Sequence, residues 1–146
     1  MFRGRYNHSI DEKGRLSVPI TFRESILADG NIVFVTQFDD CLVAYGRSAW
    51  LSLEETVSLL PQFDENVLRF TRMFVASAHE CVVDKAGRVL LPVELRSAVN
   101  LHGPVVVQGM LNRFEVWDEA RWQANEKVSE SILPLASKIS TFGVRL

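Results

Sequence analysis

HSIDEKGRLSVPITFR, residues 8–23, returns in altered form as CVVDKAGRVLLPVELR at residues 81–96. Aligning the two sets Asp11 on Asp84, Gly14 on Gly87, Arg15 on Arg88, Pro19 on Pro92 and Arg23 on Arg96, five identities in sixteen positions. Five further positions are apolar in both copies: Ile10 with Val83, Leu16 with Val89, Val18 with Leu91, Ile20 with Val93 and Phe22 with Leu95. The agreement continues through Gly30 with Gly103 and the β-rich runs at 32–35 and 105–107, then slips by one residue to pair Trp50 with Trp122. A period of about half the chain implies a pseudo-symmetric pair of modules. A solenoid would need at least three repeats.

Each copy reads as β-hairpin, short helix, two strands, helix. Tyr6 to Ile10 is β-prone, Asp11-Glu12-Lys13-Gly14 has turn chemistry, and Arg15 to Val18 resumes the alternation. Pro19 suits the first helical position, where its missing N–H costs nothing, and the helix is expected to run to about Leu27 and stop at Gly30. Strands follow at 32–36 and 42–45, then a helix capped near Ser48 that carries Trp50, Leu53 and Val57. The second copy predicts a hairpin at Asp84–Gly87, a helix after Pro92, strands near Val105 and Phe114, and a helix opened by Asp118. Trp50 and Trp122 are expected as core residues at equivalent helix positions.

Between the copies, Asp64 is expected to start a helix through Met73, with Val67, Phe70 and Phe74 as its apolar stripe and Glu65 paired with Arg69 outside. Such a connector would be packed, not floppy. The boundaries are a first module at 5–52, a connector at 53–77, a second module at 78–124 and a tail at 125–146 whose structure the sequence leaves open.

The chain has 146 residues, 47% hydrophobic and 23% charged, which fits a globular protein. It contains no apolar run of the roughly 20 residues that a spanning helix needs, and residues 1–5 lack the apolar core of a signal peptide, so a cytoplasmic protein is expected. Cys41 and Cys81 stand alone and read as small buried side chains, with neither a zinc site nor a disulfide framework indicated. His8, His79 and His102 occupy no shared repeat position and suggest no catalysis. No cofactor or metal is implied. The net charge of −2 conceals a sharp partition: residues 1–23 carry +3 and residues 69–96 carry +2, against −7 for 24–68 and zero for 97–146. Binding to a polyanion depends on such local basic faces, because charges act within about 8–10 Å in physiological salt.

The motif Asp-x-x-x-Arg stands at Asp11–Arg15 and again at Asp84–Arg88, each followed by apolar-x-apolar-Pro and, four residues beyond, by Arg23 or Arg96. With Met1-Phe2-Arg3-Gly4 and Phe114-Glu115-Val116-Trp117, the doubled motif closely resembles the MraZ family across most of the chain. The resemblance implies an α+β, mainly β fold: two tandem SpoVT-AbrB-like swapped-hairpin modules forming a pseudo-twofold β-barrel with short flanking helices. It also implies a ring-shaped homo-oligomer that binds repeated promoter boxes in double-stranded DNA ahead of a division and cell-wall gene cluster. Such a regulator would act in the cytoplasm, associated with the nucleoid.

Arginine suits this task because its planar donor fork matches phosphate oxygens and the O6/N7 edge of guanine. Arg15 and Arg88 are therefore the expected DNA contacts, with Lys13 in the first copy, Lys85 in the second, and Arg3 and Arg5 of the amino-terminal strand adding positive charge. Asp11 and Asp84 would position the arginines, and Gly14 and Gly87 would close the turns. Arg23 and Arg96 remain open between an ion pair, a subunit contact and a DNA contact, while Arg69 and Arg72 read as surface salt-bridge partners. Two rival functions stand beside DNA regulation. One is an antitoxin-type protein-interaction module; the other is an enzyme using Asp11 and Asp84 as an acid–base pair.

Overall fold

A computed structural model describes residues 1–127 and 131–145. Residues 128–130 and 146, part of the tail left open by the sequence, lie outside the described residues. The first half runs β1 (Arg5–Ser9), β2 (Arg15–Ser17), α1 (Ile20–Ala28), β3 (Ile32–Phe38), β4 (Cys41–Gly46) and α2 (Arg47–Ser58). A connector of α3 (Glu65–Phe70) and a π-helical turn (Thr71–Val75) leads to β5 (His79–Val82), β6 (Arg88–Leu90), α4 (Val93–Ala98), β7 (Pro104–Gly109), β8 (Arg113–Asp118) and α5 (Glu119–Lys127). A further helix, α6 (Ile132–Ile139), ends in a 3-10 turn (Ser140–Phe142). The fold is α+β, mostly antiparallel strands with helices at their edges.

The strands of the two halves interleave. One sheet has the order β1-β7-β8-β4-β3-β5 and a second consists of β2 and β6 alone. Exchanging each strand for its repeat equivalent turns the first order into its own reverse, so an approximate twofold passes between β4 and β8 and through the Leu16–Val89 pair. The local hairpin expectation is corrected here. β1 and β2 are β-paired only at the Ile10–Leu16 bridge, as β5 and β6 are only at Val83–Val89. The long ladders run across the halves instead, β1 on β7 and β5 on β3. A three-residue β2 has too few backbone groups to hold a hairpin by itself, and the cross-half ladder satisfies β1 along its whole length.

The shared apolar positions explain the interleaving. Ile10, Leu16, Val18, Phe22 and Ile26 and their equivalents Val83, Val89, Leu91, Leu95 and Val99 are all buried in a single cluster. Each such side chain contributes roughly 1.5–3 kcal/mol relative to exposure, and neither half could bury its own set alone. Ile20 and Val93 depart from the pattern: both head their helices and are exposed.

Helix starts differ in detail from expectation. Pro19 and Pro92 are the residues before the helices and keep extended ψ values of 136° and 141°. At α2 the preceding residue is Gly46, and the Asp29 carboxylate caps the helix from outside by accepting from the Ser48 backbone N–H at 2.8 Å. Asp64 caps α3 as expected, accepting from Asn66 and Val67 N–H. The apolar stripe there is only partly used, because Phe74 is buried while Phe70 is 40% exposed, and Glu65 does not pair with Arg69. A second cluster gathers Phe74 with Cys41, Val43, Tyr45 and the fully buried Trp50. Trp122 departs from its expected core position: it is half exposed and packs edge-on against Trp117.

Candidate nucleic-acid interface

Each Asp-x-x-x-Arg motif forms one compact turn. The Asp11 Oδ1 atom accepts from the backbone N–H of Lys13 and of Arg15, both at 2.9 Å, and Oδ2 accepts from Arg15 Nε at 2.7 Å. The Asp84 carboxylate repeats this on Ala86 and Arg88, with the Arg88 Nε contact at 3.3 Å. Gly14 and Gly87 close the turns at φ +85° and +78°, the left-handed region that L side chains rarely occupy, and donate to the Asp11 and Asp84 carbonyls. The Arg15 amide is the main influence holding the Asp11 carboxyl below the usual carboxylate range, and the Arg88 amide does the same for Asp84.

The ribbon β2–β6 brings the two arginines together. Its register sets Arg15 opposite Leu90 and Arg88 opposite Ser17, with Leu16 and Val89 paired at the centre and buried. Alternation along a strand puts Arg15, Ser17, Arg88 and Leu90 on the other, outward face. Arg15 and Arg88 are thus diagonal neighbours, about 7–8 Å apart at Cα. Their side chains are 28% and 36% exposed. Beyond the Nε bonds to aspartate, neither guanidinium has a further partner among the described residues, which leaves the terminal nitrogens available. Lys13 and Lys85 lie exposed in the turns themselves.

Arg3 and Arg5 are not part of this group. Arg5 stands at the far end of β1, six residues before Asp11 and so about 20 Å away at strand rise. Its Nε donates to Gln108 Oε1 at 2.9 Å and its guanidinium lies 4.7 Å from the Trp122 ring centroid, a cation–π contact. Arg3 is exposed, with its guanidinium donating to the Met1 sulfur at 3.9 Å and its carbonyl accepting from the Tyr6 hydroxyl at 3.3 Å.

Arg23 and Arg96, whose role the sequence left open, join the turns. Neither carries a carboxylate partner among the described residues. Burial, and then the Arg23 charge, hold His8 below the ordinary histidine range, so it is neutral near pH 7. The thiols are pushed up by burial, to about 12 for Cys41 and about 11 for Cys81, and neither is activated. The described residues include no group of three or more His, Cys, Asp or Glu that could hold a metal ion, and no helix long and apolar enough to cross a membrane.

The sequence matches the family described as "MraZ protein, putative antitoxin-like" over residues 1–72 and 74–138. It is 38% identical over 145 residues to the transcriptional regulator MraZ of Pediococcus pentosaceus, covering 99% of this chain and 100% of that one. It is 39% identical over 148 residues to that of Acetivibrio thermocellus, at the same coverage. With that of Ligilactobacillus salivarius it shares 43% identity over 125 residues, 85% of each chain.

Proposed function

The chain belongs to the MraZ family, and from that premise we propose that it is a transcriptional regulator that binds double-stranded DNA sequence-specifically through the outward face of the β2–β6 ribbon. The observation that carries this reading is the placement of Arg15 and Arg88 as diagonal neighbours on one exposed face. A two-stranded ribbon is among the shapes that the roughly 12 Å wide major groove admits. With Nε tied to aspartate, each arginine keeps its terminal nitrogens for a guanine edge or a phosphate. Asp11, Gly14, Asp84 and Gly87 are the positioning residues, and Lys13 and Lys85 add phosphate contacts at the turns. Arg3 and Arg5 have a lesser part, since Arg5 is already engaged by Gln108 and Trp122.

On this reading the repeats are SpoVT-AbrB-like modules at 5–52 and 78–124, joined by the connector at 53–77, whose hairpins exchange partners to make a pseudo-twofold barrel. The protein assembles as a ring-shaped homo-oligomer on repeated promoter boxes of its own division and cell-wall operon, in the cytoplasm and on the nucleoid. Several modest contacts made together substitute for one large interface, because each later contact is effectively intramolecular. The acid–base alternative fits poorly. Asp11 and Asp84 are both held low by turn amides, and a carboxylate pair that shares acid and base roles needs proton affinities driven apart.

The test is a mobility shift with the duplex immediately upstream of the protein's own gene. Wild type shifts it, with log K falling against log salt by about 0.9 per phosphate contacted. Arg15→Ala and Arg88→Ala each weaken binding while leaving the assembly folded. Variants that bind like wild type would remove these residues from the interface. A folded wild type that shifts no duplex would favour the antitoxin-type protein-interaction reading, which the family's description also raises.

A further inference from the structure

We propose that Arg23 and Arg96 are crossed positioning residues, each bracing the turn of the opposite repeat, so that Arg23 sets Arg88 and Arg96 sets Arg15. The Arg23 Nε donates to the Val18 carbonyl at 2.8 Å and the Arg96 Nε to the Leu91 carbonyl at 2.9 Å, each reaching back over a proline. That bond fixes where the guanidinium lies, and it lies against the other half's glycine. A methyl carbon at position 87 would stand 2.3 Å from Arg23 Cζ and Nε and 2.6 Å from Nη1; one at position 14 would stand 2.4 Å from Arg96 Cζ and 2.6 Å from Nε and Nη2. In a planar group, a point no nearer to the nitrogens than to the central carbon lies above the plane. Each guanidinium therefore offers its flat face to the glycine backbone.

A second link closes the bracket. Val18 N–H donates to the Gly87 carbonyl at 2.9 Å, and Leu91 N–H to the Gly14 carbonyl at 3.0 Å. Arg23, Val18 and Gly87 thus form one chain of contacts ending a single residue before Arg88, and Arg96, Leu91 and Gly14 form its mirror before Arg15. Both arginines are half-buried and lack a carboxylate partner among the described residues, so no ion pair described there accounts for them. Lysine cannot substitute, because it has neither a planar face nor an Nε–H part-way along the stem. Each brace fixes the placement of one arginine on the ribbon face, Arg23 that of Arg88 and Arg96 that of Arg15. Together they also give Gly14 and Gly87 a second reason to be glycine, independent of their backbone angles.

The functional half of this inference rests on the DNA-binding reading; the brace does not, so the experiment has two arms. The first follows amide hydrogen exchange by mass spectrometry on the full chain without DNA. Arg23→Ala should speed exchange in residues 84–89 and leave 11–16 at the wild-type rate, and Arg96→Ala should do the opposite. Equal acceleration of both turns, or of neither, would overturn the brace. Arg23→Lys, which keeps charge and most of the stem, should give the same crossed pattern and serves if an alanine variant does not fold. The second arm measures binding to the upstream duplex. Arg23→Ala alone should weaken it about three- to tenfold, in the range of couplings between contacting residues. On an Arg88→Ala background it should add almost nothing, whereas on Arg15→Ala it should add its full factor. Additivity with both would make Arg23 a separate contact and overturn the positioning role. If no wild-type binding is seen while the exchange pattern is crossed, the DNA reading fails and the brace stands.

Discussion

At the residue scale, Asp11 and Asp84 hold the turn and the arginine with one carboxylate each. Backbone donation from Arg15 or Arg88 is the leading cause of their lowered proton affinity. A carboxyl whose affinity for protons is lower folded than unfolded contributes stability that is fully present above the unfolded value, about 3.9 for Asp, and lost as pH falls through the folded value. Wild type should therefore show a decline in Tm below about pH 4 that is shallower in Asp11→Asn and Asp84→Asn, measured by thermal melts across pH 2–7. An acid limb of unchanged steepness in both variants would mean that the carboxylates do not hold the turns in solution. This part of the site is legible from sequence, because every partner of Asp11 lies within four residues. The contact of Arg23 with Gly87 is not. Its two ends sit in different repeats, and nothing in the spacing around either marks the other.

At the scale of elements, the expectation of strand, turn, helix and strand holds in both copies, while the helix starts follow rules of tertiary packing. Ser48 reads as a local cap, yet α2 is capped by Asp29 from the loop after α1, so one carboxylate ties two elements together. The Ser48 hydroxyl contributes most to the lowered proton affinity of Asp29, followed by the Ser48 amide and the Arg47 charge, against an opposing effect of burial. Asp29→Ala should destabilise the protein by about 0.5–2 kcal/mol, the usual cost of removing a cap, read as a lower urea midpoint with an unchanged m-value. A midpoint equal to that of wild type would show that water replaces the carboxylate at no cost. The connector illustrates the opposite limit of local reading. Its heptad-like stripe is correct as a pattern, but the backbone widens into a π turn at Thr71–Val75, which buries Phe74 against Trp50 and leaves Phe70 half exposed. No residue in the stripe marks that change of period.

At the scale of the whole molecule, the duplication is plain in the sequence, whereas the exchange of strands between its halves is implied there only by the family resemblance, since hydrogen-bonded ladders join residues that share no local pattern. The exchange has a mechanical consequence. β1 has its long ladder only with β7, β5 only with β3, and the central cluster takes equivalent side chains from both halves. Neither repeat can then keep its sheet or its core if the other unfolds, despite a sequence that reads as two modules in series. Denaturation should accordingly be a single cooperative transition, with tryptophan fluorescence and far-UV circular dichroism superimposing along the urea axis. A sharper form of the same prediction divides the chain in the connector, expressing residues 1–62 and 63–146 as separate polypeptides. Each alone would expose half of the shared core and should remain unfolded, while mixing should restore the native dichroism spectrum with a concentration-dependent midpoint, as for any folded state built from two chains. A first fragment that folds by itself would mean that the cross-half ladders are dispensable. The spacing of Arg15 and Arg88 would then be set by docking of two independent bodies, not by a shared sheet, and the ribbon would lose the rigidity on which the proposed duplex-binding face depends.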